Sequence, residues 1–155
     1  MDNLAIPELV EREIALTGID PSRLVFEITE TAAIANMEQA RAFAERLTRL
    51  GCRFALDDFG AGFSSFYYLK YLPLDYLKID GDFIRSLTSS VTDQLVVKSM
   101  VDIARGMGMK TIAEFVEDAE TAETLREMGV DYSQGYFHGA PRPVTSEFAA
   151  LELQR

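Results

Sequence analysis

Residues 54–80 read FALDDFGAGFSSFYYLKYLPLDYLKID, and the fold follows from this stretch. It opens on an apolar run, Phe54-Ala55-Leu56, that ends in two carboxylates, Asp57-Asp58. A turn follows at Phe59-Gly60-Ala61-Gly62, where glycine permits backbone that other residues avoid. The spacing then predicts a short helix from Ser64 to Tyr71, stopped before Pro73. A second apolar run, Tyr76-Leu77-Lys78-Ile79-Asp80, again carries polar residues at its end. Strand, turn, helix, strand is a βαβ unit, and such units build parallel sheets.

The same alternation extends both ways. Upstream, Pro7 to Leu16 reads as a helix stopped by Gly18, and Leu24 to Thr29 as a buried strand. Met37 to Leu50 reads as a helix with Asn36 as N-cap and Gly51 as its stop. Downstream, Asp93 to Met107 reads as a long helix ending near Gly108, and Lys110 to Phe115 as a strand. Ala119 to Met128 is a helix ended by Gly129, Tyr132 to Phe137 a fifth strand, and Thr145 to Leu153 a closing helix. No repeat, linker or low-complexity segment interrupts the pattern. Five strands in 155 residues match an open doubly wound sheet on pattern alone. A full eightfold barrel takes about 250 residues. The placement of the polar residues argues against the open sheet.

Composition narrows the class further. Hydrophobic residues make up 48% and charged residues 26%, ordinary for a globular domain with a real core. No apolar run approaches the roughly 20 residues that span a bilayer, and the N-terminus lacks the marks of a signal peptide. The one cysteine, Cys52, has no partner for an internal disulfide and agrees with a cytoplasmic setting. The net charge of -10 disfavours a duplex nucleic-acid surface, which needs Lys and Arg against phosphate. It does not disfavour a small phosphate ligand bound through divalent cations.

Each strand ends in groups that an apolar core rejects. The first carries Glu27 and, just beyond, Glu30; the second Asp57 and Asp58; the third Lys78 and Asp80. The fourth carries Glu114, with Glu117 three residues on, and the fifth Gln134. In parallel α/β folds this C-terminal edge is where active sites form. Crowded carboxylates repel one another, and a divalent cation relieves that repulsion. Glu27, Asp57, Asp58 and Glu114 make a hard, all-oxygen set suited to Mg²⁺ or Mn²⁺. The adjacent Asp57 and Asp58 suit two ions about 4 Å apart, as in two-metal phosphodiester hydrolysis. Neighbouring strand residues face opposite ways, so both can serve one site only where the strand turns, which Phe59 to Gly62 provides. Lys78, facing that site, would hold a water or a phosphate oxygen.

Each group also has an ordinary reading. Glu27 fits a surface carboxylate, Asp57-Asp58 an Asx turn, and Lys78 with Asp80 an ion pair. Glu114 and Glu117 fit caps of the next helix, and Gln134-Gly135 a bulge. The recurrence of polar groups at one edge of five successive strands favours the site. His138, the sole histidine, reads as structural because zinc sites need His or Cys partners. Phe63, Phe66, Tyr67, Tyr68 and Tyr71 fit packing of the short helix better than base stacking.

Five motifs, in order, resemble the EAL-type cyclic di-GMP phosphodiesterase family. They are Phe26-Glu27-Ile28-Thr29-Glu30, the Asp57–Ser65 loop DDFGAGFSS, and the segment from Tyr71 to Asp80 ending in LKID. Ala113-Glu114-Phe115-Val116-Glu117 and Gln134-Gly135-Tyr136 followed by Pro141 complete the set. The resemblance runs from about residue 4 to residue 145 and implies that 1–155 is a partial domain. That domain would be α/β, a TIM-like barrel with five strand–helix units present, strands four to eight.

The implied activity is hydrolysis of cyclic di-GMP to linear pGpG with two ions, Mg²⁺ or Mn²⁺. By resemblance Glu27, Asp57 and Asp58 are metal ligands, with Asp57 bridging. Glu114, Lys78 and Gln134 are catalytic, and Glu30, Glu117 and Asp80 support the loop and site. The Glu-Ala-Leu signature and the family's metal-binding Asn strand do not occur in this sequence, and Asn3 lacks the strand context for that role. Phe115 stands where glycine is usual. Without those strands the sequence also fits an inactive cyclic di-GMP-binding or scaffolding module. Five strands cannot close a barrel, so self-association or further N-terminal segments are expected.

Overall fold

The structure, a computed structural model, describes residues 5–61 and 66–141, with side chains for 6–61 and 69–141. The expected helix at Thr145 to Leu153, the Ser64 helix start, Asn3 and the rings of Phe63, Phe66, Tyr67 and Tyr68 lie outside the described residues.

Five parallel strands form one sheet in the order β1-β2-β3-β4-β5. They are β1 (Val25–Thr29), β2 (Arg53–Phe59), β3 (Tyr76–Ile79), β4 (Lys110–Ala113) and β5 (Tyr132–Ser133). The helices are α1 (Ala5–Thr17), α2 (Glu30–Ala35), α3 (Met37–Arg49), α4 (Gly81–Ile84), α5 (Val91–Gly106) and α6 (Ala119–Met128). A doubly wound sheet reverses its strand order part-way; this one does not. Strands added in sequence through right-handed crossovers put their helices on one face, the winding of a barrel. The pattern-only reading as an open doubly wound sheet is thereby replaced by a partial barrel.

The layers follow from the side-chain period of two. Leu56 on β2, Leu77 and Ile79 on β3 and Ala113 on β4 pack with Val97, Met100, Val101 and Ala104 of α5 in one buried cluster. A second cluster, Ala44, Leu47, Cys52 and Phe54, seats α3 and is flanked by Val10 and Ile14 of α1. Residues between the core positions, Lys78 among them, face away from the helices.

Element boundaries shifted where polar side chains compete for backbone groups. The long helix begins at Val91, not Asp93, because Ser90 Oγ accepts the Asp93 N–H at 3.2 Å. The fourth strand stops at Ala113, not Phe115, because Phe115 takes left-handed backbone, φ 54°. The fifth strand stops at Ser133, not Phe137. Beyond it Gln134 C=O accepts from Val116 N–H, and the chain turns at Gly135. The additional helices α2 and α4 arise from caps at Thr29 and Asp80.

At the opposite edge of the sheet a carboxylate precedes each of two strands. Asp75 accepts the Phe54 N–H at 2.9 Å, and Asp131 accepts the Thr111 N–H at 2.9 Å. Asp131 also pairs with Lys110 Nζ at 2.6 Å. Burial opposes the Asp131 charge, but the Lys110 and Thr111 hydrogen bonds outweigh it and hold its pKa below the usual value. A depressed folded-state pKa stabilises above the unfolded pKa and is lost as pH falls through the folded one. Asp131→Asn therefore lowers Tm at pH 7, and the deficit closes as pH falls below about 4. A deficit that persists unchanged at pH 2–3 in a thermal melt would contradict this linkage.

Candidate active site

Lys78 is the centre of the site. It sits mid-strand on β3 and is only 4% exposed. Its Nζ lies 2.8 Å from Glu27 Oε2 on β1, 2.7 Å from Asp57 Oδ1 on β2 and 3.0 Å from Glu114 Oε1 beyond β4. Gln134 Nε2 donates to the same Glu114 oxygen at 2.7 Å. One group from each strand, or from the residue just past it, thus converges on one point.

The adjacent aspartates meet there through a bulge. Leu56 pairs with Leu77 and Phe59 with Ile79, so Asp57 and Asp58 together oppose the single residue Lys78. Asp58 itself adopts left-handed backbone, φ 55°. Residue 58, and not the following Phe59–Gly62 turn, therefore re-aims the second carboxylate. Aspartate is among the few non-glycine residues that tolerate this conformation.

One carboxylate oxygen each from Asp57, Asp58 and Glu114 lies within 4.8 Å of the others. Glu27 is not in this group and sits instead on the Lys78 ammonium. Asp57 Oδ1 is buried against the Lys78 ammonium, 2.7 Å away. Three carboxylates whose oxygens lie this close fit a hard divalent cation. Burial, and then the charges of Asp57 and Asp80, raise the pKa of Asp58. Burial raises that of Glu114 in spite of Lys78. Burial alone would depress Lys78, but Asp57, Glu27 and Glu114 outweigh it and keep the ammonium charged.

The remaining expected residues take supporting places. Glu30 is 2% exposed and accepts the Gly60 N–H at 3.0 Å, tying the start of α2 to the loop after β2. Asp80 does not pair with Lys78; its carboxylate caps α4 by accepting the Asp82 N–H at 2.7 Å. The cap of α6 is Asp118, not Glu114 or Glu117. Glu117 lines a cleft of about 550 Å³ beside Glu114, together with Arg85, Phe115, Tyr136 and Pro141. His138 Nε2 lies 2.8 Å from Ser133 Oγ.

Sequence reasoning missed the shape of this cleft. The Arg85 guanidinium lies 4.4 Å from the Phe115 ring centroid, and a Cβ on Gly81 would come within 2.2 Å of that ring. Phe115 is half exposed between them. The available signal was Gly81 directly after Asp80, a position where a neighbouring ring needs the space.

Together the winding and the site define the class: a parallel α/β barrel segment with a cluster of carboxylates around a buried lysine at its C-terminal edge. The EAL domain family model matches residues 1–141, and the chain belongs to that family. It is 44% identical over 147 residues to the cyclic di-GMP phosphodiesterase PdeB of Shewanella oneidensis, covering 95% of this chain and 17% of that protein. It is 40% identical over 146 residues to the cyclic di-GMP phosphodiesterase PdeF of Escherichia coli K12, covering 94% and 20%.

Among solved structures, the cyclic di-GMP-bound EAL domain of Pseudomonas aeruginosa FimX superposes with a TM-score of 0.83 at 30% identity, covering 88% of this chain and 56% of that one. The calcium and cyclic di-GMP complex of Klebsiella pneumoniae BlrP1 gives 0.78 at 31% identity, covering 84% and 33%. The chain thus spans about a fifth of its curated relatives and about half of the FimX domain. No helix among the described residues is long and apolar enough to cross a membrane.

Proposed function

We propose that the chain contributes the C-terminal half of a cyclic di-GMP phosphodiesterase site that yields linear pGpG with two Mg²⁺ or Mn²⁺ ions. The observation that carries this reading is the meeting of Asp57, Asp58 and Glu114 within 4.8 Å around a buried lysine. Asp57, Asp58 and Glu114 would hold the ions, with Glu27 joining as Lys78 releases it. Bound ions supply charge for in-line displacement at phosphorus and lower the pKa of the attacking water.

The chain's own residues do the rest. Glu114, steadied by Gln134, faces the attacking water and accepts its proton. Lys78 donates to a phosphate oxygen as negative charge develops there. Glu30 holds Gly60, and so keeps Asp57 and Asp58 on the bulge. The cleft of Phe115, Arg85 and Glu117 lies beside these groups and offers one apolar face and one cation to the rest of the ligand. A cytoplasmic setting and no duplex partner belong to the same reading. β1 and β5 each have one unpaired side among the described residues, so the working site is completed by further strands of the same polypeptide or by a second copy.

The test is hydrolysis of cyclic di-GMP with excess Mn²⁺, followed chromatographically as pGpG. Glu114→Ala is expected to lower the rate by roughly 10²- to 10³-fold. Turnover that survives Glu114→Ala unchanged would place the chemistry elsewhere. Binding of cyclic di-GMP without any turnover would move the chain to a binding or scaffolding role.

A further inference from the structure

Lys78 contacts the same carboxylates that would ligate an ion. Of its three partners, Asp57 and Glu114 also belong to the oxygen group with Asp58. Asp58 is not within ion-pair distance of Lys78, and Glu27 is not in the oxygen group. The ammonium is anchored on a central strand and 5% exposed along its side chain, so it cannot swing into water. The side chains of Glu27 and Asp57, 45% and 21% exposed, have more freedom to move than the lysine.

We propose that Lys78 is a resident cation that holds the carboxylates in ligating position while the ion is absent and competes with it for Asp57 and Glu114. Rested on the metal reading above, this makes the lysine a positioning residue for ion binding, separate from any contact with phosphate. Four carboxylates, Glu27, Asp57, Asp58 and Glu114, lie around one ammonium at the strand ends. Remove that positive charge and they repel, which costs the ion-free protein stability. The same removal frees two ligands and leaves a site of higher negative charge for a divalent ion. Lysine and ion are then negatively coupled, and coupling is reciprocal.

The experiment measures Mn²⁺ affinity by titration calorimetry and the Mn²⁺-induced rise in Tm, for the wild type, Lys78→Met and Lys78→Gln. Both variants are expected to melt lower than wild type without ion, to bind Mn²⁺ roughly fivefold or more tighter, and to gain more Tm from it. A side chain that merely fills space would lower the ion-free Tm and leave the Mn²⁺ increment unchanged, which overturns the proposal. If a variant is unfolded without ion, recovery of its far-UV spectrum on adding Mn²⁺ supports the proposal, and failure of both variants to recover overturns it. Absence of any Mn²⁺ effect on the wild type, with none on the variants, would sink the metal reading itself and this proposal with it. Wild-type binding that equals or exceeds that of the variants sinks the proposal alone.

Discussion

Asp57→Asn lowers cyclic di-GMP hydrolysis by roughly 10²- to 10³-fold while leaving the fold in place. The substitution keeps the shape of the side chain and removes one negative charge. That charge faces Lys78 at 2.7 Å and shares the oxygen group with Asp58 and Glu114. An amide nitrogen in place of the buried Oδ1 would point a donor at an ammonium, and an amide oxygen there is a far weaker ligand for a hard ion. The Mn²⁺-dependent rise in Tm should shrink in parallel. Asp102→Asn, an exposed carboxylate on α5 paired with Lys98, serves as the control and keeps its rate. A rate for Asp57→Asn within threefold of wild type would show that the bulge is not where the ion is held.

Gly135→Ala is the second large effect, and it acts on stability. Gly135 has φ 153°, and a Cβ there would lie 2.2 Å from Val116 O and 2.4 Å from Val116 N. The obstacle is backbone and cannot rotate away. That peptide is already fixed: Val116 N–H donates to Gln134 C=O at 3.0 Å, and Val116 C=O accepts from Phe137 N–H at 3.0 Å. The clash therefore breaks one or both hydrogen bonds or displaces the turn, at a cost of roughly 2–4 kcal/mol. Gln134 moves with the turn and leaves Glu114, so activity falls as well. Urea denaturation reads the first effect and pGpG formation the second. A change in unfolding free energy below about 0.5 kcal/mol would mean that the turn has room the backbone positions deny it.

Much of the fold was legible because its signals are local. Apolar runs at Phe54–Leu56 and Tyr76–Ile79 and caps such as Asn36 and Gly129 act within a few residues. The polar ends of successive strands also indicated the site before any contact was known. What the sequence could not convey depended on registry between strands. The bulge opposite Lys78 exists only in the pairing of β2 with β3, so the re-aiming of Asp58 was assigned to the wrong residues. The meeting of Glu27, Asp57 and Glu114 on one ammonium has the same origin, since these strand ends converge only through the pairing of their strands. Phe115 illustrates a third kind of difficulty. Its left-handed backbone is held by a ring seated on Gly81 and under Arg85, contacts more than 25 residues apart in sequence.

The strand order has a bearing on how the molecule comes into being. Every strand pairs only with its predecessor and successor, so each new strand emerging from the ribosome finds its template already laid down. Assembly can run vectorially, and loop-closure costs stay small at each step. The site does not mature in step with it. Glu27 arrives with β1, but Gln134, which steadies Glu114, arrives only after β5. A nascent chain that has not reached residue 134 therefore lacks the amide that steadies Glu114.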